Sequence, residues 1–140
     1  MKKCLCVAGV AALALIVVFS PAGAQGDKAP TIKDVMGKLN KGPNAMTPTI
    51  GKELQDDPPA WDDLQKESKD FVKCVEALGK NTPPKGEKDS WQKLTKAYLE
   101  NAKALEAAMA KKDKKAAQDA YGRLAAPGNC KACHSEHKKA

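Results

Sequence analysis

Apolar residues recur along this chain with the spacing of helices. Ile32, Val35, Met36 and Leu39 fall at i, i+3, i+4 and i+7, which is one helical stripe. Thr31 with Asp34 three residues on makes a capping-box variant ahead of it. Gly42-Pro43 ends this first helix, and residues 43–57, with Pro43, Pro48 and Gly51, read as a loop or a short helical turn. Asp57-Pro58-Pro59 opens a second helix, whose stripe is Trp61, Leu64, Ser68, Phe71, Val75 and Leu78 and whose stop is Gly79. Asn81 to Glu87 is a Pro/Gly linker. Asp89 or Ser90 caps a third helix with the stripe Trp91, Leu94, Tyr98, Asn101, Leu105 and Ala108 or Met109. After the polar turn Lys111-Lys112-Asp113, a fourth helix carries Ala116, Ala117, Ala120, Tyr121 and Leu124. No segment alternates with period two, so the chain reads as all-α. Four amphipathic helices with short connections predict an antiparallel up-down-up-down four-helix bundle.

The first 24 residues form a separate region. Met1-Lys2-Lys3 is a short basic start, Leu5 to Phe19 is apolar and uncharged, and Ala22-x-Ala24 suits cleavage before Gln25. The expectation is a signal peptide over residues 1–24 and one domain over residues 25–140. The apolar run is about 15 residues, short for a membrane span, which leaves an uncleaved anchor as the competing reading. Cys4 stands just before that run and Cys6 at its start, and both leave with it. Cleavage removes Lys2 and Lys3 and takes the formal charge from +7 to +5. This modest charge on an exported chain argues against nucleic-acid binding. Five aromatic residues remain (Trp61, Phe71, Trp91, Tyr98 and Tyr121), too few for a thick core.

The chemistry is concentrated near the other end, at Cys130-Lys131-Ala132-Cys133-His134. Cys-x-x-Cys-His is the attachment signature of a c-type haem: each thiol adds across one vinyl group, and the adjacent imidazole binds the iron from the same side. The motif occurs once, which implies one covalent haem c. A buried porphyrin would supply apolar surface that the side chains lack. Two other chemistries use part of this pattern. A thioredoxin-like dithiol normally follows a strand in a βαβ unit, and none is present. A zinc site of Cys130, Cys133, His134 and His137 would crowd four ligands into eight residues. Covalent haem attachment outside the cytoplasm agrees with the export signal.

An exported helical chain of this size, with its single Cys-x-x-Cys-His near the C-terminal end, resembles the class II c-type cytochromes, the cytochrome c′ type and its low-spin relatives. The resemblance spans residues 25–140. It implies that Cys130 and Cys133 carry the haem and that His134 is the proximal iron ligand. Pro127-Gly128 departs from the family pattern, in which the last helix runs into the motif. A break is expected at Ala126 to Asn129, with Asn129 capping a short motif-bearing helix.

The resemblance also implies that the first helix supplies the residue facing the distal side of the iron. Met36 is therefore the candidate sixth ligand; ordinary core packing is the alternative. Met46 in the loop is a weaker candidate, and Met109 reads as core. His137, on the same element as His134, is expected at the surface or on a propionate. Lys33, one turn before Met36, is a candidate propionate contact.

With His134 and Met36 bound, the expected function is periplasmic single-electron transfer between redox partners, without enzymatic activity. Without Met36 as ligand, the alternative is a five-coordinate protein that binds nitric oxide or carbon monoxide. A peroxidase-like enzyme ranks last, because the first helix offers no distal acid–base histidine. Arg123, Lys131, Lys138 and Lys139 would form a positive rim for an acidic partner, or simply a solvated surface. Cys74 has no intramolecular partner once the motif thiols are used, and burial is expected. Monomer and homodimer both remain open.

Overall fold

The computed structural model describes residues 29–139. The expected signal peptide, with Cys4 and Cys6, lies outside them. The described residues are all-α: α1 (Ile32–Asn40), α2 (Met46–Glu53), α3 (Trp61–Gly79), α4 (Lys88–Ala110), α5 (Lys114–Leu124) and α6 (Pro127–His137), with no strand among them. No described helix is long and apolar enough to cross a membrane.

The capping box at α1 is complete. Thr31 Oγ1 accepts from the Asp34 amide at 3.2 Å, while Asp34 accepts from the Thr31 amide, also at 3.2 Å. Val35 and Leu39 are buried. The segment expected as a loop or a turn contains α2, which lacks a side-chain cap at its start. Pro48 sits within its first turn, where a missing N–H costs nothing. Met46, Ile50 and Leu54 supply its buried side at i, i+4 and i+8. Gly51 is needed there, because a Cβ would meet the Tyr121 ring carbon Cζ at 2.6 Å. The Tyr121 hydroxyl instead passes over and donates to the Thr47 carbonyl at 3.0 Å.

The helices α3 and α4, 19 and 23 residues long, form the central pair. Gln65 Nε2 donates to the Met109 carbonyl and Gln92 Nε2 to the Gly79 carbonyl, each at 3.0 Å, so the pair runs antiparallel. Leu64, Ser68, Phe71, Val75 and Leu78 are buried on α3, as the sequence stripe predicts, together with Val72. Trp91, Thr95, Ala102, Leu105, Ala108 and Met109 are buried on α4. There the expected stripe is rotated, with Leu94, Tyr98 and Asn101 only half-buried. The cause is that α4 touches three helices, α3, α5 and α6.

The remaining helices pack against this pair. The first, α1, lies on α3 and α2 and runs opposite to α3, since Asn81 Nδ2 at the far end of α3 donates to the Pro30 carbonyl at 3.1 Å. Lys112 takes a left-handed turn (φ 54°) between α4 and α5, and Asp113 caps α5 through the Ala116 amide at 3.0 Å. On α5, Ala117, Ala120 and Leu124 face inward. A break precedes the motif as expected, one residue earlier, with Ala125 and Ala126 outside both helices and Pro127 opening α6. Asn129 does not cap α6. It lies inside α6 and donates to the Arg123 carbonyl at 2.7 Å, closing the end of α5 instead.

Candidate functional site

The helix that carries the motif is unlike the others. It opens with Pro127 at its first turn, where proline is favoured, and buries one residue, His137. Cys130, Cys133, His134 and His137 stand at i, i+3, i+4 and i+7, so all four lie along one stripe of α6. Cys130 is exposed, Cys133 is half-buried against the core, and both thiols are free. His134 is exposed at the edge of the stripe. The structure therefore places the two motif thiols and the adjacent imidazole on neighbouring turns of one helix.

The stripe faces α4. His137 and Trp91 form a T-shaped pair, with ring centroids 5.3 Å apart at 83°. Seven residues earlier on α6 is Cys130, and seven residues later on α4 is Tyr98, whose phenol is close enough to sense the Cys130 charge. Burial pushes the Tyr98 phenol far above its usual range, and Cys130 adds to the shift in the same direction. The Tyr98 ring packs on Phe71 of α3, centroids 6.1 Å apart.

Burial also pushes the Cys133 thiol up, with Glu136 and Cys130 adding negative charge beside it. A thioredoxin-like dithiol depends on the opposite shift, toward an accessible thiolate. Among the described residues no group of three or more His, Cys, Asp or Glu side chains is placed to hold a metal ion. Two surface depressions lie elsewhere: one on the polar outer side of α3, between Asp62 and Lys73, and one near Trp61 and Lys112. Neither touches the motif.

A c-type haem fits the donor set: two free thiols one turn apart, an exposed imidazole beside the second, and one helix presenting them together. Trp91 adds a further feature, since its indole N–H is buried without an acceptor on the α4 side of the same seam. Lys33 is exposed on α1, one turn before Met36. Met36 is half-buried on the packed side of α1, with Asn40 Nδ2 3.8 Å from its sulfur. The principal packing pairs of α1 are with α2 and α3, and those of α6 are with α4, so Met36 and His134 are carried by helices on different neighbours. Met46 is the buried first residue of α2, not a loop residue, and Met109 is fully buried core. Cys74 is half-buried at the core edge, less enclosed than expected.

His137 requires a correction. The expectation of a surface or propionate contact gives way to a ring only 2% exposed. Its Nδ1 is 2.9 Å from the Lys85 carbonyl and its Nε2 is 3.3 Å from Ser90 Oγ. The i, i+3, i+4, i+7 relation to the motif was the available signal. It places His137 on the inner stripe together with Cys133. Ser90, expected as a helix cap, is used in this contact instead, and α4 starts at Lys88 without a side-chain cap.

No family model, no curated protein and no solved structure matches this chain.

Proposed function

We propose that this chain is a periplasmic monohaem c-type cytochrome of the class II kind, carrying single electrons between redox partners. In this reading α1, α3, α4 and α5 are the four helices of an antiparallel bundle, and α6 is the segment that carries the cofactor. One observation carries the proposal: the free thiols of Cys130 and Cys133 and the His134 imidazole are held together on neighbouring turns of a helix whose motif stripe faces α4.

Haem c would supply a reversible one-electron couple at iron, its potential raised by a histidine–methionine ligand pair. The chain's own residues perform the remaining tasks. The Cys130 and Cys133 thiols would hold the group covalently, each as a thioether formed by net addition of S–H across one vinyl bond, which needs no external oxidant. His134 offers a ring nitrogen as proximal ligand. Met36 is the candidate distal ligand, because its thioether lies on the packed side of α1 and meets only a weak amide donor. Lys33 is the candidate propionate partner. The exposed side chains of Arg123, Lys131, Lys138 and Lys139 place positive charge around the motif for an acidic redox partner. The periplasmic location rests on the signal-like residues 1–24.

The test begins with extraction by acid and organic solvent, in which haem is expected to stay with the chain. Complete loss of haem would refute covalent attachment. The ferric protein is then expected to be low-spin, and Met36→Ala is expected to make it high-spin and able to bind carbon monoxide when reduced. A wild-type protein that is already high-spin and binds carbon monoxide would replace electron transfer with the five-coordinate, gas-binding function.

A further inference from the structure

The contacts that hold α6 in place are few, and His137 makes most of them. Apolar burial does not fix the rotation of this helix, since His137 is its only buried residue and Cys133 its only half-buried one. The Asn129 side chain ties its start to the end of α5. At its other end, the His137 ring enters a slot formed by the α3–α4 linker and the first turn of α4. The linker contributes the Lys85 carbonyl, 2.9 Å from Nδ1. A carbonyl can only accept, so Nδ1 carries the proton and donates. In the neutral ring Nε2 then accepts from the Ser90 hydroxyl at 3.3 Å. The His137 and Trp91 rings meet in a T-shaped pair, a favourable aromatic arrangement. Glu136 Oε1, on α6 itself, is 3.8 Å from Nε2 and is the nearest acid.

The linker is shaped for this ring. Gly86 has φ +76°, and a Cβ there would lie 2.7 Å from His137 Nδ1 and 3.1 Å from the Glu136 carbonyl. A glycine at this position therefore provides both the left-handed turn and the space that the imidazole fills.

We infer that His137 is the positioning residue of the motif: by engaging Lys85, Ser90 and Trp91, it sets the rotation of α6 and turns Cys130, Cys133 and His134 toward α4. The part that concerns attachment rests on the cytochrome reading; the clamp on α6 does not. Because all four residues share one stripe, fixing His137 fixes the direction of the other three. A rotation of α6 that released His137 would also move Cys133 out of the core edge and into solvent.

The experiment compares the wild type with His137→Phe and His137→Asn. Phenylalanine keeps an aromatic ring against Trp91 but loses the donor to Lys85. Asparagine places its amide nitrogen where Nδ1 was and keeps that donor. In the full chain prepared without haem, amide exchange across Cys130–Ser135 is expected to quicken about tenfold or more in His137→Phe, return toward wild type in His137→Asn, and stay unchanged in α3. Alkylation of Cys133 should approach the rate of Cys130 in His137→Phe alone. In the haem-loaded protein, the fraction carrying both thioethers should fall in His137→Phe and recover in His137→Asn. Unchanged α6 exchange and unchanged Cys133 alkylation in His137→Phe would overturn the inference, as would equal loosening of α3, which would mark the residue as general core. A wild-type chain that retains no haem would refute the cytochrome reading instead, and the haem-free measurements would still decide the role of His137.

Discussion

The two seams that α4 makes with α3 and with α6 are built on different principles. Along the α3 seam, Leu64, Phe71, Val75 and Leu78 are buried on one helix, and Ala102, Leu105 and Met109 on the other. Non-directional apolar burial holds that pair, at roughly 25 cal/mol for each Å² removed from water. Along the α6 seam the enclosed ring belongs to a histidine, and directional contacts to one carbonyl and one hydroxyl replace area. The first arrangement resists change because many contacts share the load. The second fixes a helix's rotation with little surface, and so leaves Cys130 and His134 exposed. An apolar seam of the first kind would bury both.

The comparison can be broken most severely at Phe71, which is 1% exposed and packs on Tyr98. Phe71→Ala should cost about 3–5 kcal/mol, read as a lower urea midpoint with an unchanged slope. Exchange should quicken together in α3 and α4. A loss confined to α6 would show that the apolar seam is not the main support of the fold.

Gly86→Ala examines the other seam, and Gly42→Ala is its control. Both glycines have positive φ, +76° and +91°, but a Cβ at Gly42 meets nothing within 4 Å, whereas at Gly86 it meets His137. Left-handed backbone alone should cost about 1 kcal/mol at either position. Gly86→Ala should cost about 1–2 kcal/mol more, from displacement of the ring and its hydrogen bonds. In a His137→Ala background that excess should vanish, giving a coupling of about 1–2 kcal/mol in a double-mutant cycle of urea midpoints. Equal costs at the two glycines would mean that the linker does not grip α6.

The two seams were also unequally legible in the sequence. The stripe of α3 was read correctly, because that helix shows one continuous apolar side. On α4 the same reading favoured Leu94, Tyr98 and Asn101, while Thr95 and Ala102 are the buried residues. A stripe assumes one partner, and α4 has three. Thr95 can be buried because its hydroxyl donates to the Trp91 carbonyl at 2.8 Å, a local bond that hides its polarity from the core. Residues 43–57 read as a loop or a short helical turn because Thr, Pro and Gly weaken the helical pattern, and the helical alternative holds as α2: Pro48 sits where a helix tolerates it and Gly51 admits Tyr121. The motif residues were legible from spacing alone. The grip on α6 was not, because it joins His137 to a main-chain carbonyl in a linker, and a carbonyl has no sequence signature.

The smallest predicted effect tests whether the apolar side of this contrast is as indifferent to pH as its composition suggests. On α3, Glu67 Oε2 is buried without a partner, as is Glu53 Oε2 on α2. Burial raises the Glu67 pKa, and the neighbouring charges of Glu53 and Asp63 raise it further. The folded chain therefore holds a proton on Glu67 above pH 4.5, where the unfolded chain has begun to release it. Stability should fall as pH rises from that value through the raised folded-state pKa, and the deficit should persist at neutral pH. Asp34 has the opposite sign: Thr31 lowers its pKa, so its contribution is present at neutral pH and lost as acid protonates it. Glu67→Gln removes the penalty and keeps the shape. Because the group is largely solvated, screening should limit the gain to about 0.5 kcal/mol at pH 7, with none at pH 4 or below. Paired urea titrations at the two pH values measure it. A gain of the same size at both would assign the effect to packing instead of charge.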